Sequence, residues 1–388
     1  MEFINRLSTA VKIEEVVKEL SRGITTPYDL GILFITPTNA FSAQDLVKEL
    51  KSRISIKYIL GCTCAGIIST DSEIERKPAT SLILAQLPNV KILPFAIGQT
   101  QLEGLNTQKD WLEYFEVFPN ENPVFLALPD PFSLDIHRFI QVINEAYPNC
   151  PMVGGLASAA AGPNENILIL NNEFYTEGVV GVVLTGDIKV QTVVSQGCRP
   201  IGKTFIVTKA DGNIIYELAG QPLLKVLQEV LDKSTARDKL LAQEAMFVGI
   251  AINEYKEHFQ RGDFLIRGLM GIDNKTGAGA IADYIETGQT IQFHVRDAQT
   301  ATEDLNELLM NQEKNGEKEK PKGALVFSCN GRGEYLFREK DHDIRIIQHH
   351  IGPVQAAGFF CAGEIGPISG NNFLHGFTDS IALFYPKN

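Results

Sequence analysis

The fold is decided by the stretch Gly358-Phe359-Phe360-Cys361-Ala362-Gly363-Glu364-Ile365-Gly366-Pro367. It is an apolar run that ends in small residues and glycines, with one carboxylate between two of the glycines. Glycine lets a backbone approach another segment or a ligand closely. His375 and Thr378 follow, just before an apolar strand predicted at residues 380–385. The stretch predicts a buried strand that opens into a polar pocket; the alternative is a hairpin whose glycines only make the turn.

The same order of elements recurs along the chain. Each unit has a strand, a connection, a second strand that ends in glycines, and a closing strand. The predicted strands, unit by unit, are 30–35, 56–60 and 81–85; 124–128, 152–158 and 178–184; 246–252, 264–271 and 290–295; 324–329, 358–366 and 380–385. The predicted fold class is α+β, with two domains of mixed β-sheets covered by helices and built from four related strand and glycine-turn units.

A domain boundary is predicted between the second and third units. Residues 197–202 are followed by an Asp211-Gly212 hairpin turn and by a helix that starts at Pro222. The predicted domains are therefore residues 1–220 and 221–388. Other predicted elements are a helix within residues 1–20 that ends at Gly23, helices capped by Ser42 and by Ser133, and an exposed loop at 311–322.

Composition limits the classes of function. The chain has 388 residues and a net charge of 35 − 47 = −12, and it has no basic run long enough to follow phosphates, so neither nucleic acid nor an anionic membrane is predicted as a partner. Residues 1–20 lack the uncharged core of a signal peptide, and no apolar run is long enough to span a membrane. A cytoplasmic protein is predicted.

The six cysteines are scattered along the chain, and we expect them to stay reduced. Cys62 and Cys64 lack the two-residue spacer of a zinc knuckle, so no metal site is predicted. Gly154-Gly155 does not complete a dinucleotide fingerprint, and no phosphate-binding loop is present. No cofactor is predicted.

Polar residues in the glycine turns are the candidates for ligand binding. Arg332 lies between two glycines and presents a planar donor fork that suits a carboxylate or a phosphate. Glu364 suits an ammonium group, or it pairs with Arg332 in a structural ion pair. The full set of candidate ligand-binding residues is Arg332, Glu364, Cys329, Gly363, His375, Thr378, Cys62, Cys64, Gly154 and Gly155.

A catalytic hypothesis uses some of the candidate ligand-binding residues. Cys329, His375 and Glu364 are the residue types of a thiol nucleophile, its base and an orienting carboxylate, which gives a cysteine-dependent hydrolase or transferase as the alternative. A third reading is a scaffold whose turns bind proteins. The non-catalytic reading is the main prediction.

The chain resembles the FIST family, which combines a FIST N and a FIST C domain. The resemblance is carried by residues 358–383, by Phe327-Ser328-Cys329-Asn330-Gly331-Arg332-Gly333 and by residues 197–202, and more loosely by the turns at 61–66 and 153–158. It implies a sensory module for small ligands such as amino acids. Because no signalling domain is evident in the sequence, the resemblance implies a stand-alone sensor that acts through an unidentified signalling protein.

Overall fold

The computed structural model describes residues 1–37, 43–260, 262–315 and 319–387. The strands are β1 (Glu2–Ser8), β2 (Tyr28–Ile35), β3 (Ile56–Thr63), β4 (Gly66–Ile68), β5 (Glu73–Glu75), β6 (Thr80–Gln86), β7 (Val90–Ile97), β8 (Val124–Pro129), β9 (Met152–Gly155), β10 (Leu168–Leu170), β11 (Glu173–Tyr175), β12 (Val179–Gly186), β13 (Ile188–Ser195), β14 (Cys198–Asp211), β15 (Ile214–Leu218), β16 (Gln221–Pro222), β17 (Phe247–Ala251), β18 (Phe264–Ile272), β19 (Gly279–Ile281), β20 (Thr290–Arg296), β21 (Gly323–Cys329), β22 (Gln355–Cys361), β23 (Glu364–Ile368), β24 (Asn371–His375) and β25 (Asp379–Pro386). The helices are α1 (Ile13–Leu20), α2 (Ala43–Arg53), α3 (Gln99–Gly104), α4 (Gln108–Phe115), α5 (Ile136–Ala146), α6 (Leu223–Lys233), α7 (Ala236–Glu244), α8 (Ala298–Asn315), α9 (Gly333–Phe337) and α10 (His342–Ile351), with a short 3₁₀ turn at Pro119–Glu121.

Three six-stranded sheets in the described residues follow one plan. Their strand orders are β1-β6-β2-β3-β10-β11, β7-β12-β8-β9-β23-β24 and β13-β25-β21-β22-β4-β5. In each sheet the first two strands of a predicted unit run parallel, and the closing strand pairs antiparallel with the first. A parallel pair needs a crossover connection, and helices provide it in all three units. The mixed sheets and the α+β fold class are confirmed.

Each of these sheets is completed by a hairpin from a different unit. The hairpin β4–β5 extends the sheet of β22, β10–β11 extends the sheet of β3, and β23–β24 extends the sheet of β9. The exchange is cyclic, so the three units are tied together around an approximate threefold arrangement. Their inner faces share one apolar core that includes Phe34, Leu126 and Phe359. Helices cover the outer faces, as predicted.

Glycines at one equivalent position let the parallel strands approach closely. Gly61 pairs with Leu33, Gly154 with Ala127 and Gly358 with Val326. A Cβ atom at any of the three glycines would overlap the carbonyl oxygen of its partner residue. These three glycines, which the sequence also marks, are therefore required for the close packing of the parallel strands.

Replacing Gly358 by alanine is expected to lower the free energy of unfolding by about 1–3 kcal/mol, because a backbone carbonyl cannot move aside as a side chain can. Gly104→Ala is the matched control, since no atom lies within 4 Å of the added Cβ. Urea unfolding followed by circular dichroism measures both variants. Equal stability of the two variants would contradict the packing argument.

The third predicted unit differs from the others. Its strands β17, β18 and β20 occur in the predicted order, but β18 and β20 both pair antiparallel with β17, within a seven-stranded sheet. Residues 195–305 together with 375–377 form one compact unit, and residues 1–194, 306–374 and 378–388 form the other. The third unit is thus an insertion in the chain of the last of the three equivalent units. The predicted boundary at residue 220 stays a prediction.

Some local predictions were wrong. Residues 2–8 form a strand paired with β6 instead of the start of a helix, and α1 ends at Leu20, before Gly23. The strand predicted at 358–366 is interrupted at residues 362–363, where β22 ends and the exchanged hairpin begins. Helix α8 continues through residues 311–315, which were predicted as loop, because Gln, Glu and Lys favour helix on an exposed face.

The caps were predicted with mixed success. The N-cap of α5 is Asp135, whose side chain accepts a hydrogen bond from the Arg138 N–H at 3.0 Å, and Ser133 instead donates to Asp130 at 2.7 Å. The predicted cap Ser42 lies outside the described residues. Pro222 directly precedes α6, and the hairpin between β14 and β15 forms at the predicted Asp-Gly turn. Across the described ranges, no helix combines the length and apolarity that a membrane crossing requires.

Candidate functional site

The ends of β3, β9 and β22 meet where the three equivalent units join. The Leu156 N–H donates to the Gly363 carbonyl at 2.9 Å, and the Ala362 N–H returns a bond to the Leu156 carbonyl at 3.1 Å. The Ser158 hydroxyl accepts from the Ala65 N–H at 3.0 Å and donates to the Phe360 carbonyl. We call the three turns at 61–66, 154–158 and 358–364 the junction. It places the predicted glycine turns side by side.

The junction collects buried thiols. Cys62, Cys64 and Cys361 are fully buried, and Cys329, which is partly exposed, pairs with Cys361 in the parallel register of β21 and β22. A Cβ atom on Gly155 would overlap the Cys361 sulfur, so this glycine makes room for the thiol. Burial raises the pKa of the Cys62, Cys64 and Cys361 thiols, which keeps them protonated and poorly nucleophilic.

Glu364 is a carboxylate at a position that is apolar in the other two units. In the hairpin pairing it corresponds to Ile67 and Leu168, which are fully buried like Glu364 itself. Its carboxylate accepts a hydrogen bond from the Thr378 N–H at 3.1 Å. Burying a carboxylate costs free energy that isoleucine or leucine would not cost here. Packing alone therefore does not explain why this position carries an acid.

Arg332 is held by a buried partner that the sequence did not indicate. It is fully buried, and its fork donates to both oxygens of Asp343, with Nε–Oδ2 at 2.7 Å and Nη2–Oδ1 at 2.8 Å. His342 Nδ1 lies 2.8 Å from the Asp343 Oδ1, and the guanidinium lies 5.3 Å from the Phe337 ring centre. Burial opposes ionisation of Asp343, but the Arg332 charge and hydrogen bonds outweigh it and hold the pKa of this carboxyl well below its ordinary value.

Two further acids lie within electrostatic range of this pair. Burial and the negative charge of Asp343 raise the pKa of Glu73 to about 8, against the hydrogen bond that its Oε1 accepts from the Ile344 N–H at 2.9 Å. Burial and Asp343 raise the pKa of Asp379 well above its ordinary value, with Arg332 opposing the shift. Both acids are therefore held in the protonated form near neutral pH.

Asp379 is the buried acid whose carboxyl group has the fewest hydrogen bonds. It is fully buried, and neither of its carboxyl oxygens has a hydrogen-bond partner among the described residues. Its equivalents at the start of the other closing strands are Thr80 and Val179, since Asp379 pairs with Ser328 as Thr80 pairs with Ile35 and Val179 with Pro129. Burying a carboxyl group without hydrogen-bond partners costs free energy. A ligand that donated a hydrogen bond to Asp379 would recover part of this cost.

The junction reaches the surface close to these acids. Ala65 and Ala362 are exposed, and Cys329 is partly exposed. Cys329 donates its backbone N–H to the Thr378 carbonyl at 2.9 Å, directly before Asp379 in the chain. Cys329, which is partly exposed, is thus hydrogen-bonded to the segment that carries Asp379.

Most predicted site residues belong to one compact unit. Those in the first unit are Cys62, Cys64, Gly154, Gly155, Cys329, Arg332, Gly363, Glu364 and Thr378. His375 is buried and belongs to the second unit, so its pairing with Cys329 stays a prediction. Within the ranges that the structure describes, no three His, Cys, Asp or Glu side chains are arranged to hold a metal ion.

Sequence reasoning missed Glu73, Asp343 and Asp379. Asp379 had a usable signal, because it begins a closing strand whose counterparts begin with Thr80 and Val179. Glu73 and Asp343 had none, because acids in a short hairpin and in the first turn of a helix are ordinary surface residues by sequence.

Two family models match the chain in succession. The FIST N domain matches residues 29–221, and the FIST C domain matches residues 224–367. An uncharacterized protein of Mycobacterium tuberculosis is 37% identical over 355 residues, which cover 92% of this chain and 91% of that protein. An uncharacterized protein of Mycobacterium bovis is 36% identical over 356 residues, which cover 92% of this chain and 90% of that protein.

Proposed function

Since the chain belongs to the FIST family, whose domains are described as small-ligand sensory domains of signalling proteins, we propose that it senses an amino acid or a similar amine-bearing metabolite at the junction. The observation that carries the proposal is Asp379, buried with no hydrogen-bond partner for its carboxyl group among the described residues. An ammonium group would supply three donors and a positive charge, and Asp379 would then ionise.

Glu364 is the second carboxylate proposed for the ammonium group. Its Oε2 is anchored by the N–H of Thr378, the residue next to Asp379, so the two acids are linked through one peptide segment. The two neutral acids near Arg332 and Asp343 can ionise beside an ammonium group, which favours the ammonium end of an amino acid over its carboxylate as the main anchor.

Arg332 is proposed to take the ligand carboxylate in exchange for Asp343. The present fork ties the segment after β21 to helix α10. A ligand carboxylate that shared or replaced Asp343 would loosen that tie, and a partner signalling protein would recognise the changed surface. Because the residues concerned are buried, we expect slow association.

A thermal-shift screen of the twenty amino acids and their decarboxylated amines tests the proposal. A ligand at about one hundred times its dissociation constant adds roughly 2.7 kcal/mol to the free energy of unfolding. We expect a selective shift in the natural sequence and its loss in Asp379→Asn, which copies the protonated acid but cannot become an anion. Asp187→Asn is the control, because Asp187 is an exposed acid in the same compact unit.

Two results would contradict the proposal. One is a flat screen with a protein that unfolds cooperatively, which would favour the scaffold reading. The other is a hit that Asp379→Asn binds with unchanged affinity, which would place the ligand elsewhere.

A further inference from the structure

A cleft of about 580 Å³ opens within the second compact unit, between the long strand β14 and helices α6 and α7. This volume lies in the range of small-molecule sites. Its apolar wall is formed by Pro200, Ile201, Phe205, Leu218, Val226 and Val230. The wall includes part of the 197–202 segment, which the junction does not use.

A fixed bulge in β14 shapes the cleft. Ile201 pairs with Phe293 and Phe205 with Ile291, so residues 202–204 lie opposite the single residue Gln292. The Gln292 side chain donates to the Gly202 carbonyl at 2.9 Å and holds the bulge in place. Gly202 has a φ of +68°, a conformation that favours glycine. Bulges of this kind bend a strand and redirect its side chains, often beside binding sites.

The charged groups of the cleft leave an excess of positive charge. Arg199 forms ion pairs with Asp238 and Asp297, and Arg237 also pairs with Asp297, so these four charges cancel. Lys203 and Lys233 both line the cleft, and neither forms an ion pair within the described ranges. The Lys203 ammonium lies 5.5 Å from the centre of the Phe205 ring. Glu229 is the remaining acid of the lining. The mouth of the cleft therefore suits an anion, while its wall suits an apolar group.

Gln221 adds a requirement for a donor. Gln221 lines the cleft, and its buried Oε1 has no hydrogen-bond partner in the part of the chain that the structure describes. From the apolar wall, the two ammonium groups and this acceptor, we infer that the cleft binds a small apolar carboxylic acid that carries a hydroxyl or amide N–H. The site lies in the second unit and goes beyond the function proposed for the junction.

Titration calorimetry with 3-phenyllactate, 2-hydroxyisocaproate and N-acetylleucine tests this inference on the full chain. We expect saturable binding of at least one of these acids, and at least tenfold weaker binding of its neutral primary amide. The double variant Lys203→Gln/Lys233→Gln should weaken binding of that acid at least tenfold. Lys225→Gln is the matched control, because Lys225 is an exposed lysine of α6 that does not line the cleft.

Three results would overturn the inference: no saturable binding of any of the three acids to the folded protein, equal binding of acid and amide, or unchanged binding in the double variant. The lysines are exposed, so we expect their replacement to leave the fold intact. Asp379→Asn should keep this binding unchanged, which separates failure of the cleft from failure of the junction.

Discussion

Replacing Arg332 by methionine is expected to lower the free energy of unfolding by about 3–5 kcal/mol at neutral pH. Methionine keeps most of the apolar stem and loses the guanidinium. Asp343 would then remain as a buried carboxylate without its cation, in a place that is 1% exposed and already within range of two other acids. The loss arises mainly from this stranded charge, and urea unfolding measures it.

Two further variants identify the cause of that loss. In Arg332→Met/Asp343→Leu no stranded charge remains, so much of the stability should return. Arg345→Met removes a surface pair with Glu339, in which both side chains are more than half exposed, and should cost at most about 1 kcal/mol. If the single Arg332 variant costs no more than the Arg345 variant, the buried pair does not hold the segment after β21.

The buried pair limits what a variant of Arg332 can report about ligand binding. From sequence, Arg332 between two glycines looked like a residue open to a ligand, with Glu364 as the alternative partner. In the structure, the Arg332 guanidinium is hydrogen-bonded to Asp343. Replacing Arg332 would therefore destabilise the fold as well as remove a proposed ligand contact. Ligand affinity is therefore better tested at Asp379, where the isosteric asparagine retains the shape of the acid.

The repeat of strand, connection, glycine-ended strand and closing strand could be predicted because each unit carries its own pattern. Buried parallel strands read as apolar runs, and Gly61, Gly154 and Gly358 mark the point of closest approach. The third unit has the same pattern of apolar runs and glycines in its sequence, yet its strands β17 and β18 pair antiparallel. Apolar runs are common to both arrangements, so the pattern could not separate them.

The exchange of hairpins could not be predicted. Strands β4, β5, β10 and β11 have three residues each, too few for a periodic signal, and their partner strands lie in other units. The exchange places Glu73 beside helix α10 and Glu364 beside Gly155. Sequence therefore found the residues of the glycine turns, Glu364 included, while the contact of Glu73 with a helix of another unit appeared only in the structure.

Replacing Glu73 by glutamine is expected to stabilise the protein at pH 8 by on the order of 3 kcal/mol and to have little effect near pH 4. The folded protein raises the pKa of Glu73 from an ordinary value of about 4.5 to about 8. Folding therefore takes up a proton between these values. The contribution of Glu73 is most favourable below pH 4.5 and is lost as the pH rises towards 8.

The glutamine variant removes this loss because it is neutral at every pH. Its side-chain oxygen can still accept the Ile344 N–H, so the start of helix α10 keeps its bond. Urea unfolding at pH 4, 5, 6, 7 and 8 should give two curves that diverge with rising pH. Glu75→Gln on the same strand is the control, since Glu75 accepts the Glu334 N–H at 2.7 Å and lies outside the buried pair of Arg332 and Asp343.

The variant should retain part of the pH dependence. Asp379 is also held protonated by burial and by Asp343, so its own proton uptake continues in Glu73→Gln and keeps a slope in the same direction. The double variant Glu73→Gln/Asp379→Asn should lose this slope. Its stability should then rise with pH up to about 6.5, because burial lowers the pKa of His294 from 6.5 to about 4. Parallel curves for the natural sequence and Glu73→Gln would mean that Glu73 is already ionised in the folded protein across this pH range and that burial does not hold it neutral.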